Sequence, residues 1–289
     1  MSDRAIRPVA AGMVAAVVLA LAAGLQPGAA AAQTWRDITS SRQLENADPV
    51  RISVSYGAGS FDLRATEESL LYRMGLRYDE EVFAPVNEYN GNRLRLGVES
   101  IGKGFKLART RDGGSMELVL GRGVPMDLDL EFGAVQADVD LGGLALRGLE
   151  LSTGASEARI DVSEPNPGRM ARGTFEIGAA DFTLRRMGNL GAERIDVHAG
   201  VGGVTLWLDG RWAADARLSI EMGLGALELR VPEGLGIELR KDSFLTSFDP
   251  QELVRRGDAY YSLDWETAER KVTIDLDAAF GSVKVVWIR

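Results

Sequence analysis

The sequence predicts an all-β fold, a single elongated β-solenoid in which glycine-centred strand-turn-strand units of about 22 residues stack on one another. Three observations predict it. Apolar residues alternate at period two through most of the chain, the mark of strands with one buried face. A glycine recurs at the same place in the alternating stretches. From Gly133 to Gly223 these glycines are 21, 24, 22 and 23 residues apart, a spacing of the kind that repeat proteins keep. A β-sandwich of meandering hairpins is the alternative, because it alternates too.

The chain opens with Arg4 and Arg7 ahead of an apolar run from Val9 to Leu25, then small residues ending at Ala30, Ala31 and Ala32. That order reads as a secretory signal peptide over residues 1–32, with an uncleaved membrane anchor as the other reading. After cleavage no membrane span is expected. Export implies an oxidising compartment, yet the 289 residues include no cysteine, so packing and backbone ladders must supply the stability. The formal charge of −9 repels phosphate backbones, so no nucleic acid partner is expected.

Residues 33–122 are expected to form an irregular β region. It starts with one clear unit, in which Ile52 and Val54 precede Gly57 and Phe61 and Leu63 follow it. Alternation of Leu70, Tyr72, Met74, Leu76 and Tyr78 gives another strand, Asn90-Gly91-Asn92 a hairpin turn, and Ser115–Gly121 a further strand.

Residues 123–289 carry the regular repeat. Ile195 and Val197 precede Gly200, and Val204 and Leu206 follow it; the same template recurs around Gly133, Gly154, Gly178, Gly223 and Ala279. The central glycines are expected to supply the positive φ of a tight turn. Residues 241–272 interrupt the repeat as a loop with Pro250, a short helix over Gln251–Arg255 and a turn at Arg256-Gly257-Asp258. The closing strand has Val283, Val285 and Trp287 on one face and Val286 and Ile288 on the other, so the 241–272 segment is expected to cover it.

His198, the single histidine, has parity opposite to Ile195 and Val197 and should point to solvent. Its equivalents in other units are Glu131, Ser152, Glu176, Glu221 and Asp277, and the outward position two earlier holds Asp129, Glu150, Thr174, Asp196, Ser219 and Asp275. Stacked about 4.8 Å apart, Asp129, Glu131, Glu150, Glu176, Asp196, His198, Glu221, Asp275 and Asp277 make a candidate acidic binding face. Divalent cations or cationic partners suit such a face; the plainer reading is a solvated surface that discourages edge-to-edge association. A lone histidine, no Gly-x-Ser-x-Gly elbow and no calcium-loop spacing leave no residue to assign as catalytic, cofactor-binding or metal-ligating. The chain is expected not to be an enzyme and to use no cofactor.

The stretches at 195–208 (IDVHAGVGGVTLWL), 255–272 (RRGDAYYSLDWETAERKV) and 273–287 (TIDLDAAFGSVKVVW) resemble bacterial toast-rack proteins and the C-terminal domain of LiaF-like, cell-wall-active-antibiotic-response proteins. The stretches at 57–65 and 70–99 resemble the N-terminal part of toast-rack proteins. The resemblance implies a β-solenoid outside the enzyme classes, and LiaF-like relatives act in envelope-stress signalling through protein contact. This chain lacks the multiple membrane spans that precede the domain in those relatives, so inhibition of a sensor kinase does not carry over. The expected function is an exported binding or scaffold module of the periplasm or cell surface, with an envelope protein or cell-wall component as partner. A surface adhesin and a polysaccharide-processing enzyme are the alternatives.

Overall fold

In the computed structural model, which describes residues 34–101, 114–243 and 245–289, each glycine-centred unit is one rung with two arms. The rungs are β2 (Val50–Thr66), β7 (Met126–Asp140), the pair β8 (Leu146–Thr153) and β9 (Glu157–Asp161), β10 (Met170–Arg185), β11 (Ala192–Trp207), β12 (Ala216–Pro232) and β17 (Arg270–Ile288). They stack in that order by parallel pairing, so Val197 lies between Phe175 and Ile220, and Leu206 between Leu184 and Leu229. The arms of these rungs pair with the same arms of neighbouring rungs and not with each other. That pattern is solenoid-like and differs from the hairpin pairing of a sandwich. The signal-peptide assignment falls on residues outside those described.

Alternation explains the core. Ile195, Val197, Val204 and Leu206 are all buried, and so are their counterparts from Ile52 to Val285, in one continuous cluster. The connections that return from one rung to the next add Leu141, Leu144, Val162, Met187, Leu190 and Leu208 to it. Two asparagines fasten these connections. Asn189 donates to the Val162 carbonyl at 2.7 Å and accepts from the Arg211 amide at 2.8 Å, and Asn166 likewise bridges Leu146 and Leu190. Polar loop backbone next to an apolar core is thereby satisfied.

The repeated glycines are there for a different reason from the one expected. Gly133, Gly154, Gly178, Gly200 and Gly223 do not have positive φ. They form a column at the bend, where a Cβ on Gly154, Gly178, Gly200 or Gly223 would lie 2.7–2.9 Å from the carbonyl oxygen of the preceding glycine in the column. Close rung-to-rung approach, rather than a tight turn, excludes a side chain there. Positive φ occurs two residues later, at Gly59, Gly202, Gly225 and Gly281.

Antiparallel strands finish both ends. At the first, β5 (Arg93–Ser100) extends the first arm of β2 and carries β4 (Phe83–Asn90) through a hairpin whose Gly91 has φ 63°. On the second arm β6 (Ser115–Gly121) pairs with β2, β3 (Leu70–Asp79) with β6, and β1 (Trp35–Gln43) with β3. Tyr56 is buried at this end, its hydroxyl has no hydrogen-bond partner among the described residues, and burial raises the phenol pKa above its ordinary value. Tyr56→Phe is therefore expected to leave stability unchanged or raise it by up to about 1 kcal/mol, measured by denaturant unfolding.

At the other end the segment 241–272 is not a loop. β13 (Leu235–Ser243) and β14 (Thr246–Asp249) form one more rung, parallel to β17, which covers the edge of the closing strand, while Val286, Trp287 and Ile288 stay half-buried. β16 (Ala259–Ser262) pairs antiparallel with β13, and β15 (Leu253–Arg256) with β16. The helix expected over Gln251–Arg255 is thus a turn followed by strand β15. β17, last in sequence, is inserted between β12 and β13/β14, and Trp287 Nε1 donates to the Gln251 carbonyl at 2.7 Å.

Candidate functional site

The stack brings the predicted outward residues into rows on the outer face of the first arms. One row runs Ser55, Glu131, Ser152, Glu176, His198, Glu221, Asp277, and continues to Asp242 on β13. The next runs Ser53, Asp129, Glu150, Thr174, Asp196, Ser219, Asp275 and Arg240. All nine candidate residues therefore stand on one face, but Asp196, expected to point to solvent, is buried and held by Arg172. His198 is half-exposed, and its Nδ1 lies 3.2 Å from Glu221 Oε2. Hydroxyls separate other carboxylates: Ser55 donates to Glu131 and Ser152 to Glu176, each at 3.3 Å.

The face is less acidic than the acids alone suggest. A third row brings Arg172, Arg194 and Arg217 side by side on β10, β11 and β12. Arg172 Nε lies 2.7 Å from Asp196 Oδ2, Arg217 Nε 3.4 Å from Asp275 Oδ2, and Arg240 Nη1 3.8 Å from Asp275 Oδ1. The signal was in the sequence, since these arginines occupy one repeat position six residues before the column glycine. Asp242 could not be found that way, because its rung lacks the glycine.

Asp129 is the candidate carboxylate with a resolved pKa shift: partial burial raises it, and Glu131 next to it adds to the rise. A raised folded-state pKa means that protonation favours the fold and that ionisation at neutral pH opposes it. Asp129→Asn is expected to raise the unfolding midpoint slightly at pH 7, with the gain fading as pH falls through the carboxylate range. Thermal unfolding across that range checks the sign; the effect stays small because solvent screens an exposed group.

Sequence reasoning missed a feature at the bend. The residue after the column position is buried on β2 and β7 (Ala58 and Ala134), whereas on the later rungs it is large, apolar and exposed: Val201, Leu224 and Phe280 are 52%, 52% and 45% exposed. Leu245, immediately before β14 on the added rung, is 72% exposed. On earlier rungs the same position is Ala58, Ala134, Ala155 or Ala179, and there the bend holds a groove of about 1000 Å³ that ends at Val201. On the second arms, the Trp207 ring lies between Arg185 and Arg230 of the adjoining rungs, 5.3 and 4.3 Å from their guanidinium carbons. Arg256 of the Arg-Gly-Asp turn is paired with Glu266 at 3.0 Å.

A stack of parallel two-armed rungs with ordered outward rows defines an all-β repeat protein. The model of the N-terminal domain of toast_rack, DUF2154, matches residues 31–185, more than half of the chain, and the chain belongs to that family. No curated protein sequence matches the chain. Among solved structures it is similar to a candidate cell adhesion protein from Clostridium sporogenes, at 12% identity and a TM-score of 0.46, over 88% of this chain and 100% of that one. It is also similar to candidate adhesins from Bacteroides fragilis (11% identity, TM-score 0.32, 87% and 97% coverage) and from Parabacteroides merdae (8% identity, TM-score 0.27, 88% and 97% coverage).

Proposed function

We propose that the chain is an exported, non-catalytic binding or scaffold module of the bacterial cell envelope, whose partner is an envelope protein or a cell-wall component. One observation carries this reading. Apolar side chains fill the inward positions of successive rungs, and the polar ones are laid out at rung spacing along an open face, a geometry suited to contact with an extended partner. A glycosidase needs two carboxyl groups flanking a bound sugar, and sugar platforms need a free aromatic face. Here the carboxylates stand in rows along a sheet, several of them joined to hydroxyls or arginines, and the Trp207 ring lies between two arginines.

The test is affinity capture from envelope extracts with the purified chain, run beside a reducing-end assay on envelope and plant glycans. A retained partner and unchanged glycans are expected. Turnover that vanishes in Glu221→Gln would overturn the reading. If the partner lies on another cell or a host surface, the module acts as an adhesin, and deletion abolishes attachment.

A further inference from the structure

Val201, Leu224 and Phe280 follow one another on adjacent rungs and present an apolar ridge along the stack axis, and the exposed Leu245 extends it just before Thr246, the partner of Gly281 on the added rung. Three residues earlier on each of the same rungs stand His198, Glu221, Asp277 and Asp242, a row in register with the ridge. Two residues later stand Gly203, Ala226, Ser282 and Ser247, all small. The ridge is therefore asymmetric, with carboxylates along one flank and a low shelf along the other. Surface of this kind, apolar in the middle and polar at one rim, marks a docking site more often than chance exposure does.

We propose that this ridge docks an amphipathic helix of a partner protein, lying along the stack axis with its basic flank over the Glu221, Asp277 and Asp242 row. The proposal rests on the binding-module reading. Rung spacing selects the partner's conformation. Rungs repeat at about 4.8 Å, and a helix advances about 5.4 Å per turn, so one apolar side chain per turn meets one ridge residue per rung with under about 2 Å of drift across the ridge. An extended strand along the same axis repeats at roughly 6.7 Å on each face and falls out of step at once. Charge selects the flank, because a lysine or arginine once per turn meets a carboxylate once per rung. A second copy of the chain fits less well. It would set acidic row against acidic row or shelf against ridge, and four side chains fall far short of the ~800 Å² per partner that a stable dimer buries.

The test uses a synthetic helical peptide of about five turns with leucine once per turn and lysine along one flank, and a scrambled peptide of identical composition. Fluorescence anisotropy with the purified chain is expected to show binding of the first and at least about tenfold weaker binding of the second. Val201→Ser with Leu224→Ser, both half-exposed and tolerant of a polar side chain, is expected to weaken the first peptide by about tenfold or more. Glu221→Gln with Asp277→Asn is expected to weaken it severalfold and flatten its salt dependence. Glu117→Gln, exposed on β6 at the first end of the stack and outside both the acidic rows and the ridge, should leave binding unchanged. Equal binding of the scrambled peptide, or unchanged affinity in the serine variant, would overturn the proposal. So would concentration-dependent self-association, seen by sedimentation, that the serine variant loses. If the serine variant still captures an envelope partner as the native chain does, the ridge assignment falls and the binding-module reading stands; peptide binding without any envelope capture gives the reverse.

Discussion

Gly225→Ala is expected to lower stability by roughly 2–4 kcal/mol, whereas Gly203→Ala, a substitution of the same kind on the adjoining rung, is expected to cost less than about 1 kcal/mol. Gly225 has φ 152°, and a methyl group there would overlap the carbonyl oxygen of Gly202 on β11. Relief by moving β12 is blocked from the other side, because Gly281 of β17 sits in the same way on the Gly225 carbonyl. Gly203 has no such constraint. Its added methyl would meet the end of the Asp181 side chain at 3.1 Å, and that carboxylate can swing away. Urea unfolding of the two variants decides the matter. Similar losses in both would mean that the glycines matter for chain entropy alone and not for rung-to-rung approach.

The same positions show why the bend changes along the stack. Val135 and Ala180, the equivalents of Gly202 and Gly225 on β7 and β10, carry side chains and do not have positive φ. Once the sequence places glycine there, the backbone rotates into the positive region. On β11, β12 and β17 the residue before that glycine is Val201, Leu224 or Phe280, exposed where alanines stand on most other rungs. On β11, β12 and β17 bend geometry and ridge arise from two adjacent residue choices, whereas β2 makes the first alone, with positive φ at Gly59 after the buried Ala58.

The repeat was legible because each of the seven units states its own alternation and bend, and parallel stacking leaves the outward rows in the order the repeat dictates. His198 beside Glu176 and Glu221 follows from counting alone. The rung made by β13 and β14 was illegible for a local reason. Lys241 stands opposite the buried Leu276, its ammonium 5.4 Å from the Phe248 ring, and Pro250 follows β14, so neither apolar spacing nor glycine marks the unit. Terminal repeats of stacked proteins are commonly atypical in this way, since one side of them meets solvent. Pro250 with Gln251 and Glu252 reads as a helix start, but pairing of Leu253–Arg256 with Ala259–Ser262 outweighs that propensity. That the 241–272 segment lies against β17 was legible from the apolar closing strand, but that it does so as a parallel rung was not, because parallel partners are chosen by long-range fit and not by adjacent residues.

That long-range placement gives the largest expected effect. Ending the chain before Arg270 removes Val272, Ile274, Leu276, Val283 and Val285, all buried, from the rung between β12 and the terminal β13/β14 rung. At about 1.5–3 kcal/mol each the loss is on the order of 10 kcal/mol, comparable with the whole stability of an ordinary domain. The damage should nevertheless be uneven. In a stack each rung contacts mainly its neighbours, so β13 and β14, which pair with β17 and reach the other rungs through it, lose their attachment outright. β12 becomes an exposed edge, while β2 to β10 keep both partners. Hydrogen exchange read by mass spectrometry is expected to show residues 235–262 unprotected and residues 126–185 close to native. Adding a synthetic 270–289 peptide should restore protection to 235–262, because the gap it fills has a parallel partner on each side. Uniform loss across 126–185 would instead show that the rungs unfold as one cooperative block, and native protection at 235–262 would show that the end cap holds to β12 without β17.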